Sequence, residues 1–164
     1  MNTETLKQTK EKIPLPELYE RYSKDIFKYS FSILKDEDDA KDAVQEVFVK
    51  FAENENSFKR NCSYKTWLLV LTRNYCFNKI KSKEFNNENL EEKTYNRTYE
   101  TDYDTRITIR DALMQLNHED NELIYLREYE SYSYKEIAEL TEQSLENVKI
   151  KIFRARQKLR EILK

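Results

Sequence analysis

The sequence predicts an all-α protein of two small helical domains joined by a flexible linker. Three observations lead to that fold class. None of the 164 residues is glycine, which removes the Asn-Gly and Asp-Gly turns that β-hairpins favour. Apolar residues recur at three- and four-residue steps, the period of one helix face, in two separate blocks. Between the blocks lies an acidic, polar stretch with no period at all.

Residues 1–12, "MNTETLKQTKEK", are polar throughout and read as a disordered tail. They lack the apolar segment of a signal peptide. After Pro14 and Pro16 a helix follows, with Leu15, Leu18, Tyr19, Tyr22, Ile26, Tyr29 and Ile33 along one face. An acidic break precedes a second helix marked by Ala40, Ala43, Val44, Val47, Phe48 and Phe51. Asn54 to Ser63 is a polar break. The third helix carries Trp67, Leu68, Leu71 and Tyr75, with Val70 and Ile80 widening the stripe. Three helices of this length can share one modest core, and residues 13–83 form the first domain.

Residues 84–105 form the linker. Within it, Glu84 to Asp104 holds seven acids and two bases. Such a segment reaches at most roughly 70 Å when extended, but only about 25 Å as a random coil.

The second domain, residues 106–164, opens with Ile109, Ala112, Leu113 and Leu116 at helical spacing. After "NHED" comes another helix, with Leu123, Ile124 and Leu126 and Tyr125 beside them. Ser133 followed by Glu136 is a capping box, a helix-start signature. Ile137, Ala138 and Leu140 give that helix its apolar face. Ser144 is a second N-cap, opening a longer helix with Val148, Ile152, Ala155, Leu159 and Ile162 inward. A short helix, a tight turn and a longer helix make a helix-turn-helix pattern.

Charge is unevenly spread. The chain has 29 Lys+Arg and 31 Asp+Glu, yet "VKIKIFRARQKLR" (148–160) holds Lys149, Lys151, Arg154, Arg156, Lys158 and Arg160 and no acid. In a helix-turn-helix the N-terminal turns of the second helix enter the major groove. Lys149, Ile150, Phe153 and Arg154 lie off the inward stripe. An apolar Phe153 on a cationic face can meet a thymine methyl, and Arg or Lys can pair with guanine. Arg156 and Lys158, farther along, suit phosphates, which position the protein without specifying sequence. The plainer reading is a solvated basic surface helix with Phe153 packed on a neighbour.

Other chemistries are disfavoured. Without glycine there is no GxxxxGK[ST] and no GxGxxG phosphate cradle. Cys62 and Cys76 form no CxxC pair and read as ordinary reduced thiols. The longest apolar run, Trp67 to Leu71, is far shorter than a membrane span, so a cytoplasmic protein without membrane insertion is expected. "DDAKD" (38–42) matches a DDxxD metal motif. That chemistry needs a larger apolar cavity and a second metal motif, and the sequence has neither. No metal, no cofactor and no enzymatic activity are expected.

Three motifs in order carry a family resemblance. "DAKDAVQEVFVKF" (39–51), "SYKTWLLVLTRNYCFNKIKSK" (63–83) and "SYKEIAELTEQSLENVKIKIFRAR" (133–156) resemble segments of the bacterial sigma-70 family of RNA polymerase sigma factors. The type is the short extracytoplasmic-function (ECF) one, built of a region 2 helical bundle and a region 4 helix-turn-helix. The resemblance covers about Leu15 to Ile80 and Ile109 to Leu163.

It implies that the first motif docks on the clamp coiled coil of the polymerase β′ subunit through Asp39, Asp42, Gln45 and Glu46. The run Asp36 to Asp39 also suits a helix N-terminus through the dipole. It implies that Phe58, Asn61 and Tyr64 help capture a flipped base of the −10 element, with stacking compensating for unpairing. Lys65, Arg73, Asn74 and Lys79 would follow the melted strand, and Trp67 reads as structural. Region 4 would meet the β flap and read the −35 element with Ser144, Asn147, Lys149, Ile150, Phe153 and Arg154, and with Arg156 and Lys158 on phosphates. The implied partners are core RNA polymerase, promoter DNA and a separate anti-sigma factor. Promoter elements about two helical turns apart, on the order of 70 Å, require the linker to run extended. The alternative is a helix-turn-helix regulator that binds duplex DNA without polymerase. One departure stands out: where the family has glycine in the helix-turn-helix turn, Glu142 stands nearby, and a positive φ there costs about 1 kcal/mol or more.

Overall fold

A computed structural model describes residues 12–57, 62–86 and 105–164, with backbone alone at 105–108. Among them are helices and turns and no strand. Helix α1, Leu15–Leu34, follows Pro14 and carries Pro16 in its first turn, where a missing N–H costs nothing, and ends at Lys35 in the left-handed conformation. The Lys35 N–H closes the last turn on the Phe31 carbonyl at 2.8 Å. Helix α2, Glu37–Glu53, is capped by Asp36, whose Oδ1 accepts from the Asp39 N–H at 2.8 Å. Glu37, Asp38 and Asp39 add negative charge to its first turn. A 3-10 turn, Glu55–Ser57, follows. Helix α3, Tyr64–Asn86, opens with the Ser63 hydroxyl accepting from the Thr66 N–H at 3.1 Å.

The second group begins with α4, Thr105–Met114. Helix α5, His118–Ile124, is capped by Asn117, which accepts from the Asp120 N–H at 2.7 Å. It continues into a π-helical stretch, Tyr125–Tyr129, closed by the Glu130 N–H on the Tyr125 carbonyl. Helices α6, Tyr134–Thr141, and α7, Leu145–Ile162, carry the two serine caps read from the sequence. Ser133 Oγ accepts from the Glu136 N–H at 3.1 Å, and Ser144 Oγ from the Asn147 N–H at 3.2 Å.

Helices α1, α2 and α3 pack as a three-helix unit, and α7 holds α5 and α6. The units also pack on each other, α1 against α5 and α3 against α6. Leu18, Ile26 and Phe51 of the first unit belong to the same buried cluster as Leu123, Ile137 and Ile152 of the second. Each such side chain contributes about 1.5–3 kcal/mol by leaving water.

Two details differ from the sequence reading. Helix α3 includes Glu84, Phe85 and Asn86, which the sequence assigns to the linker. Its buried residues are Tyr64, Leu68, Leu69, Thr72 and Cys76. The expected Trp67, Leu71 and Tyr75 are only half-buried around that core. The cause is the run Trp67–Leu71, apolar at every position, in which periodicity cannot choose a face. Thr105, the last expected linker residue, already opens α4; residues 87–104 of the linker and 1–11 of the tail lie outside the described residues.

Candidate nucleic-acid interface

The turn between α6 and α7 sets the aim of α7. Glu142 sits at φ 54°, ψ 41°, in the left-handed region. That lets the Gln143 N–H reach back to the Ala138 carbonyl at 3.0 Å and stop α6 sharply. Lys151 then ties the turn to α5. Its Nζ donates to Gln143 Oε1 at 2.8 Å and to Glu119 Oε1 at 2.6 Å.

Val148, Ile152 and Ala155 of α7 are buried with no exposed surface. The opposite face presents Asn147, Lys149, Ile150, Phe153 and Arg154 to solvent, with Ser144 at its start. Phe153 is 58% exposed and Ile150 48%. Among the described residues no acid pairs with Lys149 or Arg154. The other cations of the helix are differently placed. Arg156 Nε donates to Glu128 Oε1 at 2.8 Å, and Lys158 Nζ to Asp120 Oδ2 at 3.0 Å. Sequence reasoning put both on phosphates and missed their acids, which lie on α5 and in the π-helical stretch.

The residues expected at a −10 element are not gathered on one open surface. Phe58 and Asn61 lie outside the described residues. Tyr64 is a correction: it is 8% exposed, packs against the Phe51 ring at 6.0 Å, and accepts from the Ile13 N–H at 3.2 Å. The ring is covered by its own unit and is not presented to a base in this structure. Lys65 donates to Glu130 Oε2 at 3.0 Å. Burial opposes its charge, but that bond and nearby acids outweigh burial and raise its pKa. Arg73 Nε donates to Glu122 Oε1 at 2.8 Å, with its guanidinium over the Phe77 ring. Lys79 pairs with Asp39 at 3.3 Å and Asp42 at 3.8 Å. Asn74 is exposed.

On α2, Asp42, Gln45, Glu46 and Val49 form an exposed i, i+3, i+4, i+7 stripe. Val49 is 50% exposed. Asp39 stands apart, held by Lys79 and Lys83.

The residue that sequence reasoning missed is Glu122. It is fully buried between the units. Tyr29 donates its hydroxyl to the same Oε1 that takes Arg73. Burial pushes the Glu122 carboxyl up, against the pull of Arg73 and Tyr29. The sequence offered little signal, since Glu122 stands just ahead of the apolar run "LIYL" and close behind two other acids, Glu119 and Asp120. Cys76, also buried, has its thiol pushed up to about 12 by desolvation and stays protonated.

Comparison with known proteins follows the same division of the chain. The family description "Sigma-70 region 2" matches residues 18–85, and "Sigma-70, region 4" matches 106–159. RNA polymerase sigma factor YlaC of Bacillus subtilis (strain 168) is 31% identical over 157 residues, covering 89% of this chain and 90% of that protein. The ECF RNA polymerase sigma factor SigX of the same organism is 34% identical over 56 residues, 34% of this chain and 29% of SigX. Among solved structures, the sigma factor RpoE bound to the anti-sigma factor NepR, from Bartonella quintana, superposes with a TM-score of 0.72. It is 22% identical, and the match covers 90% of this chain and 95% of RpoE.

Proposed function

The chain belongs to the sigma-70 family of RNA polymerase sigma factors, of the extracytoplasmic-function type with regions 2 and 4, and from that premise we propose how its two helical units share promoter recognition. Residues 106–164, as region 4, read the −35 element in duplex form. Residues 13–83, as region 2, dock on core polymerase and hold the melted −10 element. The protein has no catalytic step of its own. It acts in the cytoplasm, where the polymerase works. Among the described residues no helix is long and apolar enough to cross a membrane.

The observation that carries the −35 assignment is the outward face of α7. Two large apolar side chains, Ile150 and Phe153, stand in solvent between Lys149 and Arg154. A merely solvated basic face has no use for them. A major groove offers thymine methyls to the apolar pair and guanine O6 and N7 to the cations. Ser144 and Asn147 sit at the helix start, where backbone N–H groups suit a phosphate. Arg156 and Lys158 remain phosphate contacts, exchanging Glu128 and Asp120 for DNA.

Binding of holoenzyme to a randomised −35 library tests this. Arg154→Ala should change the preferred sequence, at about 1–3 kcal/mol per lost base contact. Lys158→Ala should weaken all sequences alike and lower the salt slope by about one unit. Identical sequence profiles for the two variants would leave only electrostatics.

On α2 the stripe Asp42, Gln45, Glu46 and Val49 is the docking surface for the β′ clamp coiled coil, with Asp39 positioning it from the side. Region 4 faces the β flap. A separate anti-sigma factor is the remaining partner, as RpoE is seen with NepR. A groove of about 610 Å³ between α1 and α4–α5, lined by Phe27, Phe31, Ile109, Leu113 and Ile124, suits an amphipathic helix of such a partner. The regulator that binds DNA without polymerase is not favoured, because the family matches span both regions.

A further inference from the structure

Lys151 stands in the basic stretch 148–160 but is not among the residues assigned to the −35 element. By spacing it belongs to the reading face, since Asn147 and Arg154 lie one turn away at i−4 and i+3. The structure turns its side chain elsewhere and leaves it only 30% exposed. The ammonium donates to Gln143 Oε1 at 2.8 Å, in the turn ahead of α7, and to Glu119 Oε1 at 2.6 Å, in the first turn of α5. One side chain thus joins α7, the turn that enters it and the helix packed against it.

Lys151 also dictates how Gln143 lies. An ammonium donates and cannot accept, so the amide must offer its oxygen. The amide nitrogen is left buried, with no partner among the described residues. A buried donor without a partner is costly, and here the cost is set against a charge-assisted bond to the oxygen. The backbone of Gln143 is fixed as well. It follows the left-handed Glu142, and its N–H donates to the Ala138 carbonyl at 3.0 Å. The root of α7 is therefore held by backbone and side chain together.

The leverage is large. Arg154 lies about 15 Å along the helix from Ser144, so a tilt of about 5° at the turn moves it by about 1 Å. Hydrogen bonds to base edges hold their donor–acceptor distance within about 0.5 Å. We propose that Lys151 is a positioning residue for −35 recognition: it touches no DNA and fixes the tilt of α7 through Gln143 and Glu119. This role rests on the reading of the outward face of α7 as the −35 reader, and the experiment keeps the two apart.

Holoenzyme carrying Lys151→Met is bound to a randomised −35 library at two salt concentrations. The methionine fills the space and makes neither bond. The preference for the best sequence over its single mismatches should fall about threefold or more, with the salt slope at its wild-type value. Lys151→Arg, which keeps two donors, should restore the wild-type profile. Glu119→Ala should flatten the profile as Lys151→Met does, although loss of an acid would by charge alone tighten binding to every sequence. These preferences are ratios, so a role in stability alone would leave them unchanged. A wild-type profile for Lys151→Met overturns the positioning role, and a salt slope lower by about one would then mark a phosphate contact instead. If Lys151→Met loses helicity, Glu119→Ala carries the test, and an unflattened profile there overturns the role. Arg154→Ala in the same library tests the reading face itself. An unchanged preference for Arg154→Ala overturns the −35 reading of α7, whereas a changed one beside an unchanged Lys151→Met overturns the positioning role alone.

Discussion

With no glycine in the chain, left-handed backbone positions fall to residues that have a Cβ. Among the described residues these are Lys35, Ser131 and Glu142. Each ends or joins helices where the chain must reverse. Lys35 closes α1, and Glu142 sets the angle between α6 and α7. A Cβ in this region costs about 1–2 kcal/mol, part of which a glycine would return as unfolded-state entropy. Glu142→Gly should therefore raise stability by a few tenths to about 1 kcal/mol. Urea denaturation of the two proteins measures it. An unchanged midpoint would mean that the turn carries no strain.

At the scale of the element, capping and periodicity explain α2, α6 and α7 closely. The serine caps stand where the sequence puts them, and the inward stripe of α7 is the expected one. Helix α3 was less legible. Its Trp67–Leu71 run is apolar on all sides because the helix touches α1 and α2 on one face and α6 on another. That contact pattern is a tertiary fact, and so is the packing of Tyr64 on Phe51 of α2. The exposed stripe of α2 supports a prediction at this scale. Asp42→Arg should weaken binding to core polymerase by roughly tenfold or more, and Gln45→Ala by less, with helicity unchanged. Both side chains point to solvent, so neither change disturbs the core. Core affinity by fluorescence anisotropy, with circular dichroism as the control, decides it. Unchanged binding by both variants removes the docking assignment.

For the whole molecule the decisive group is Glu122, buried where the units meet. Facing it are Tyr29 from α1, Arg73 and Cys76 from α3, and Glu119 on its own helix. Burial outweighs the favourable partners, so its pKa in the folded protein lies above the ordinary glutamate value. The folded state therefore holds this proton more tightly than the unfolded chain. The group's contribution to stability is full below the unfolded pKa and is lost as pH rises through the folded one. Glu122→Gln keeps an acceptor oxygen for Tyr29 and Arg73 without the charge. The stability of the wild type relative to Glu122→Gln should thus decline as pH rises from the acid side toward neutrality. Denaturation midpoints at a series of pH values measure the difference. A difference that grows with pH would show that Arg73 dominates burial.

The sequence alone determined the helical class, the boundaries of most helices, the helix-turn-helix and its outward face. These depend on neighbours three or four residues away, and local spacing records them directly. It also carried the family, because three motifs of the right type stand in the right order. Only the tertiary structure decided which cations remain open to solvent. Lys65, Arg73, Arg156 and Lys158 look alike in the sequence, yet each meets an acid from a distant segment. Ion pairing between residues 28 to 65 positions apart leaves no period to read. The burial of Tyr64 is a tertiary fact of the same kind, since burial depends on what packs over a residue and not on its neighbours in the chain.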